Sequence, residues 1–172
     1  EIIAPEEEAR LAVISCAPLV SSKTEQLLVV DIGGGSTELV WIDLSAVPRA
    51  DRPRAIMRLH AGFHPPQSPF PAAKVVDWIS VPLGVATLKD QFADVEDDAA
   101  RFALMSWFFE EKLADFSPYN AASPREGFQI IGTSGTVTTV AASHLELRRD
   151  DRTKVDGLRM TSDKIDRVVR DD

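Results

Sequence analysis

The chain has 172 residues, 44% of them hydrophobic and 27% charged, with a formal net charge of −8. That length can bury a substantial core and fits one domain better than two, while the acidic excess speaks against non-specific nucleic-acid binding, which needs clustered Lys and Arg. A single cysteine, Cys16, excludes an internal disulfide and a thiolate metal cluster.

Glu1-Ile2-Ile3 reads as a strand entered in mid-chain, and the expectation is a piece of something longer. Ala4-Pro5-Glu6-Glu7-Glu8-Ala9-Arg10 starts a helix, with proline in the first turn and three glutamates at the positive end of the dipole. First-turn charge on a solvated face accounts for those glutamates structurally. Residues 27–30 and 39–42 are apolar runs of strand length around Asp31-Ile32-Gly33-Gly34-Gly35-Ser36-Thr37-Glu38. A hairpin turn stripped of side chains turns backbone N–H groups toward an anion, and Asp31 and Glu38 at its two ends can hold a metal that offsets the anion's charge. The structural alternative is a glycine-rich turn that needs positive φ and nothing more.

Residues 44–74 hold six of the eleven prolines, which excludes a continuous helix or central strand. They read as a long excursion with an edge hairpin near 55–61 and a solvated loop carrying Arg49, Arg52, Arg54 and Arg58. A strand follows at 75–81, then a turn at Pro82-Leu83-Gly84 and a short helix over 85–92. A longer helix places Phe102, Met105, Phe109, Leu113 and Phe116 at spacings of three and four, a stripe expected to be core. A buried strand at 128–131 then runs into Gly132-Thr133-Ser134-Gly135-Thr136 and a helix. Strand, small-residue turn and helix together present a helix N-terminus to an anion, although Ser and Thr begin many helices for structural reasons alone. Residues 148–154 are a charged connection, and Thr161-Ser162-Asp163 caps a last helix. His60, His64 and His144 have no metal-site spacing. No apolar run approaches the roughly 20 residues of a membrane span, and no basic-then-apolar leader is seen, so the expectation is a cytoplasmic protein with no membrane partner.

The glutamate-rich helix start, Val-Asp-Ile-Gly-Gly-Gly-Ser-Thr-Glu-Leu, Pro-Leu-Gly-Val and Gly-Thr-Ser-Gly-Thr, in this order, resemble the exopolyphosphatase and guanosine pentaphosphate phosphohydrolase (Ppx/GppA) family. The resemblance implies an α/β fold of the actin-like, ribonuclease H-like superfold shared by sugar kinases, chaperone ATPases and actin. This chain looks like its second lobe over residues 1–172, with a mixed sheet of the five-stranded type flanked by helices and a Pro-rich insertion at 44–74. It further implies that Glu8 is the base that activates water. Asp31 and Glu38 would be associated with Mg²⁺ or another divalent cation. Gly33, Gly34, Gly35, Ser36, Gly132, Ser134, Gly135 and Thr136 would contact phosphate. The implied partners are polyphosphate or guanosine pentaphosphate, together with a first lobe that supplies its own phosphate loop, which has no counterpart here; a homodimer is compatible. A longer excursion and a shorter last helix than the family pattern set this chain apart, and without the first lobe negligible turnover is expected. A non-hydrolysing phosphate or nucleotide sensor and a kinase-like or chaperone-like ATPase are the competing readings, and fold alone does not separate them.

Overall fold

The computed structural model describes residues 3–59, 63, 69, 71–116, 118, 127–147 and 151–171. Four strands form one mixed sheet in the order β3-β2-β1-β4: β1 (Gln26–Ile32), β2 (Thr37–Asp43), β3 (Lys74–Val81) and β4 (Phe128–Thr133). The first three are antiparallel neighbours and β4 runs parallel to β1. Seven α-helices are described: α1 (Pro5–Ser15), α2 (Arg52–Met57), α3 (Val85–Gln91), α4 (Asp98–Leu113), α5 (Ser134–His144), α6 (Arg152–Val155) and α7 (Ser162–Asp171). None is long and apolar enough to cross a membrane.

The register explains where the core lies and where it stops. Residues that face each other across a ladder point to the same side of the sheet, and alternate residues of one strand share that side. Leu27 lies between Ile42 and Gln129, and two residues on, Val29 lies between Val40 and Ile131. Leu27, Val29, Val40, Ile42 and Ile131 are buried with Ala9 and Val13 of α1 in one cluster. Each fully buried Val or Leu contributes about 1.5–3 kcal/mol relative to exposure. Two residues further along, the same face turns polar.

Four expectations need correction. The sheet has four strands among the described residues, not five: residues 1 and 2 lie outside them, and Ile3 is not in a strand. Residues 55–57 belong to α2 rather than to an edge hairpin; Pro53 sits in the first turn, where its missing N–H costs nothing, while Ala55 and Ile56 turn into the core. The stretch expected as a solvated loop also contributes Leu44, Val47 and Leu59 to that core. Within it Arg52 is buried rather than solvated, donating through Nε to the Val47 carbonyl and through Nη1 to the Ser22 carbonyl, each at 3.1 Å. Its planar fork of donors satisfies carbonyls that burial would otherwise leave unpaired. Finally, α4 forms with Asp97 capping Ala100 N–H, but no residue of it is buried and Phe102 is 62% exposed. Phe116, just beyond the helix, is the member of that stripe that reaches the interior.

Candidate active site

Past Val29 the inward face of the sheet carries a row of four polar residues, one from each strand. Asp31 of β1 faces Glu38 of β2 and Thr133 of β4, and Glu38 faces Ser80 of β3. Glu38 is buried, and Ser80 Oγ donates to its Oε1 at 2.8 Å. Asp31 Oδ1 and Thr133 Oγ1 are buried and have no hydrogen-bond partner. A buried carboxylate oxygen without a donor costs on the order of 1–3 kcal/mol or more, so the place where it points is set up for something the chain does not itself provide.

The turn that follows Asp31 is held from behind by α3. Gly33 N–H donates to the Ser36 carbonyl at 2.9 Å, closing the hairpin, while Val85 N–H donates to the Gly33 carbonyl at 3.1 Å and Ala86 N–H to the Gly34 carbonyl at 2.9 Å. The first N–H groups of a helix lack intrahelical partners, and here the turn's carbonyls satisfy them. Because a trans peptide points its C=O and N–H in opposite directions, the Gly34 and Gly35 N–H groups face away from α3. Gly84 makes the contact possible, since a Cβ there would lie 2.4 Å from the Gly33 oxygen and from the Gly34 carbonyl carbon. Thr37 Oγ1, donating to the Leu83 carbonyl at 2.7 Å, ties the other side of the hairpin to the same segment.

Glycine's tolerance of positive φ does not account for this turn. Gly33, Gly34 and Gly35 are not among the glycines in the left-handed region, and a Cβ on Gly34 or Gly35 would meet nothing within 4 Å. Neither backbone conformation nor internal packing requires the two side chains to be absent, which leaves room for an approaching ligand.

β4 delivers the second turn to the same end of the sheet, because Thr133 pairs with Asp31 and both turns begin immediately beyond that row. Ser134 adopts φ 79°, a strained conformation for a residue with a side chain. Gly135 is open on its Cβ side, and its carbonyl accepts from Thr138 and Thr139. Gly132 differs: a Cβ there would lie 2.8 Å from Val137 Cγ1, so helix–strand packing explains it. Thr136 lies half-buried in the first turn of α5.

α1 lies over the sheet at this end. Glu8, Leu11, Ala12 and Ser15 of α1 line a shallow cleft with Ile3 and Asp31. Desolvation, and then the charges of Glu38 and Asp31, hold the Glu8 carboxyl above the ordinary carboxylate value. Its neighbour Glu7 behaves in the opposite way: it is engaged by Arg10, whose Nε donates to Glu7 Oε2 at 2.8 Å, and its carboxyl is held below the ordinary value. Glu8 is therefore the carboxylate that faces the polar row. Cys16 is buried, and burial pushes its thiol up to about 11, so it remains a protonated core residue.

Sequence reasoning missed Thr133, Ser80 and Gly84. Thr133 and Ser80 sit in phase with core residues two positions earlier, but only the pairing register shows that they meet Asp31 and Glu38. No group of three or more His, Cys, Asp or Glu among the described residues is placed to hold a metal. The residues nevertheless fit a magnesium-type ion, which takes one or two carboxylates and completes its shell with water and phosphate oxygens; the unpartnered Asp31 Oδ1 has the chemistry of one such ligand.

A profile of the Ppx/GppA phosphatase family matches residues 1–169. Among solved structures the chain is similar to the Aquifex aeolicus member of the Ppx/GppA family, at 27% identity and a TM-score of 0.62, over 97% of this chain and 43% of that one. It is similar to an exopolyphosphatase-like protein at 25% identity and a TM-score of 0.66, over 99% and 47% respectively. An exopolyphosphatase from Cytophaga hutchinsonii, at 24% identity and a TM-score of 0.57 over 85% and 38%, adds likeness of fold. The chain thus spans less than half the length of the solved proteins it matches. No curated protein sequence matches it.

Proposed function

The chain belongs to the Ppx/GppA phosphatase family, and on that premise we propose that it forms one wall of a site that hydrolyses terminal phosphoanhydride bonds of polyphosphate or guanosine pentaphosphate. The opposite wall would come from a first lobe of the same protein. The observation that carries this reading is the convergence of Glu8 and Asp31 on one cleft, beside two turns in which Gly34, Gly35 and Gly135 are open on their Cβ sides.

In this reading the Glu8 carboxylate accepts a proton from the attacking water as the water oxygen bonds to the terminal phosphorus and the anhydride P–O bond breaks, releasing orthophosphate. The N–H groups of Gly34 and Gly35 and the N-terminal end of α5 bind the phosphoryl oxygens, and the apolar Leu11 and Ala12 shield the cleft side of α1. Asp31, with Glu38 beside it, would hold a divalent cation. When bound, that ion supplies positive charge that offsets the acidic row for an incoming phosphate chain.

Phosphate release by the full-length protein, compared on polyphosphate, guanosine pentaphosphate and ATP, tests the substrate class. Glu8→Gln should lower kcat by about 10²–10⁴-fold while leaving substrate binding nearly intact. Unchanged turnover in that variant would remove Glu8 from the role of base. Binding without release by the unaltered protein would reduce the site to a phosphate sensor.

A further inference from the structure

Thr133 occupies the N-cap position of α5 with extended backbone, φ −130° and ψ 174°, yet its side chain makes no capping hydrogen bond. Threonine at an N-cap ordinarily accepts from a backbone N–H two or three residues on, a contact whose loss costs about 1 kcal/mol. Here the hydroxyl forgoes that contact, is buried, and has no other partner. Its register partner across the β1–β4 ladder is Asp31. Asp31 Oδ1 and Thr133 Oγ1 are together the buried side-chain polar atoms without hydrogen bonds among the described residues. Two desolvated oxygens on residues paired across the ladder, each without a hydrogen-bond partner, describe a position for a third atom that both can ligate.

The charge around that position selects the atom. Asp31, Glu38 and Glu8 interact electrostatically at this end of the sheet, and Glu38 has one oxygen committed to Ser80. A hydroxyl paired with a single carboxylate oxygen is a recurrent way to hold a hard divalent cation next to phosphate. We propose that Thr133 Oγ1 and Asp31 Oδ1 are the two protein ligands of the divalent cation in this site, with Glu38 standing beside the ion rather than directly on it. The inference rests on the reading that the site takes such a cation, and it assigns a role to Thr133, which the two-carboxylate reading leaves out.

The test uses metal binding rather than turnover. In the full-length protein titrated with Mn²⁺ and followed by electron paramagnetic resonance, Thr133→Val should weaken binding by at least about tenfold, and Thr133→Ser, which keeps the hydroxyl, should restore it. Because the hydroxyl has no partner to lose, Thr133→Val should leave the thermal unfolding of the metal-free protein unchanged or slightly raised, while the added stability conferred by Mn²⁺ shrinks. Mn²⁺ affinity equal to that of the unaltered protein in a folded Thr133→Val variant would overturn the assignment. A protein that shows the expected Thr133 dependence and yet releases no phosphate supports the assignment and removes only the hydrolase reading.

Discussion

The two small-residue turns at the end of this sheet solve the same problem by different means. The Gly33-Gly34-Gly35 turn is relaxed in its own backbone and is oriented from outside, by α3 N–H groups that take up its carbonyls. The turn after β4 has no such buttress described; it opens directly into its own helix and carries its strain internally, at Ser134 with φ 79°. Carboxylates flank the first turn, whereas hydroxyls and glycines make up the second. One turn is positioned by packing and the other by local chain geometry, so they should respond oppositely to the same kind of substitution.

Gly84→Ala should have the largest effect on stability, because its Cβ would fall 2.4 Å from backbone atoms of the first turn that have no rotamer to move. An overpacked contact of this kind costs about 1–3 kcal/mol, and the displaced turn should raise KM for the phosphorylated substrate as well. Gly35→Ala reverses the pattern: with nothing within 4 Å of the added Cβ, chemical denaturation should shift by no more than about 0.5 kcal/mol while KM rises. If Gly35→Ala left KM unaltered, the open side of the first turn would not be the ligand's. At the second turn Ser134→Gly relieves a left-handed residue and should stabilise the protein by about 1 kcal/mol, measured as a raised denaturation midpoint. A loss of stability there would show that the Ser134 side chain contributes more than its strain costs.

The local parts of this arrangement were legible in the sequence, and the non-local parts were not. The hairpin around Asp31 and Glu38, the strand entering Gly132 and the helix leaving Thr136 are each contained in a dozen residues, and apolar period and turn chemistry suffice to place them. α2 is not legible locally, because Pro53 signals a break when seen alone and a first helical turn only when Ala55 and Ile56 are known to face a core. The exposed α4 shows the converse: its apolar spacing fixes which face would be buried without saying that any described surface covers it. Thr133 has no local signal that sets it apart within its motif, since its place opposite Asp31, on a strand about a hundred positions away, is visible only in the pairing register.

The smallest effect concerns protons and separates the acidic turn from the neutral one. Desolvation is the first cause of the raised Glu8 carboxyl, followed by Glu38 and then Asp31. The folded chain therefore holds that proton more tightly than the unfolded chain does. Glu8 lends stability below its ordinary value of 4.5, and this contribution is lost as pH rises through the raised one. If Glu8 is the base as proposed, the same shift should move the acid limb of activity upward, because a general base must be ionised. In metal-free protein, Asp31→Asn removes one of the charges and leaves the desolvation, so a ¹³C titration of the Glu8 carboxyl should move down only partway toward 4.5. Substitutions in the second turn, such as Gly135→Ala, remove no charge and should leave that titration where it is. An Asp31→Asn variant with an unshifted Glu8 would mean that the Asp31 charge does not reach that carboxyl, leaving desolvation and Glu38 to set it.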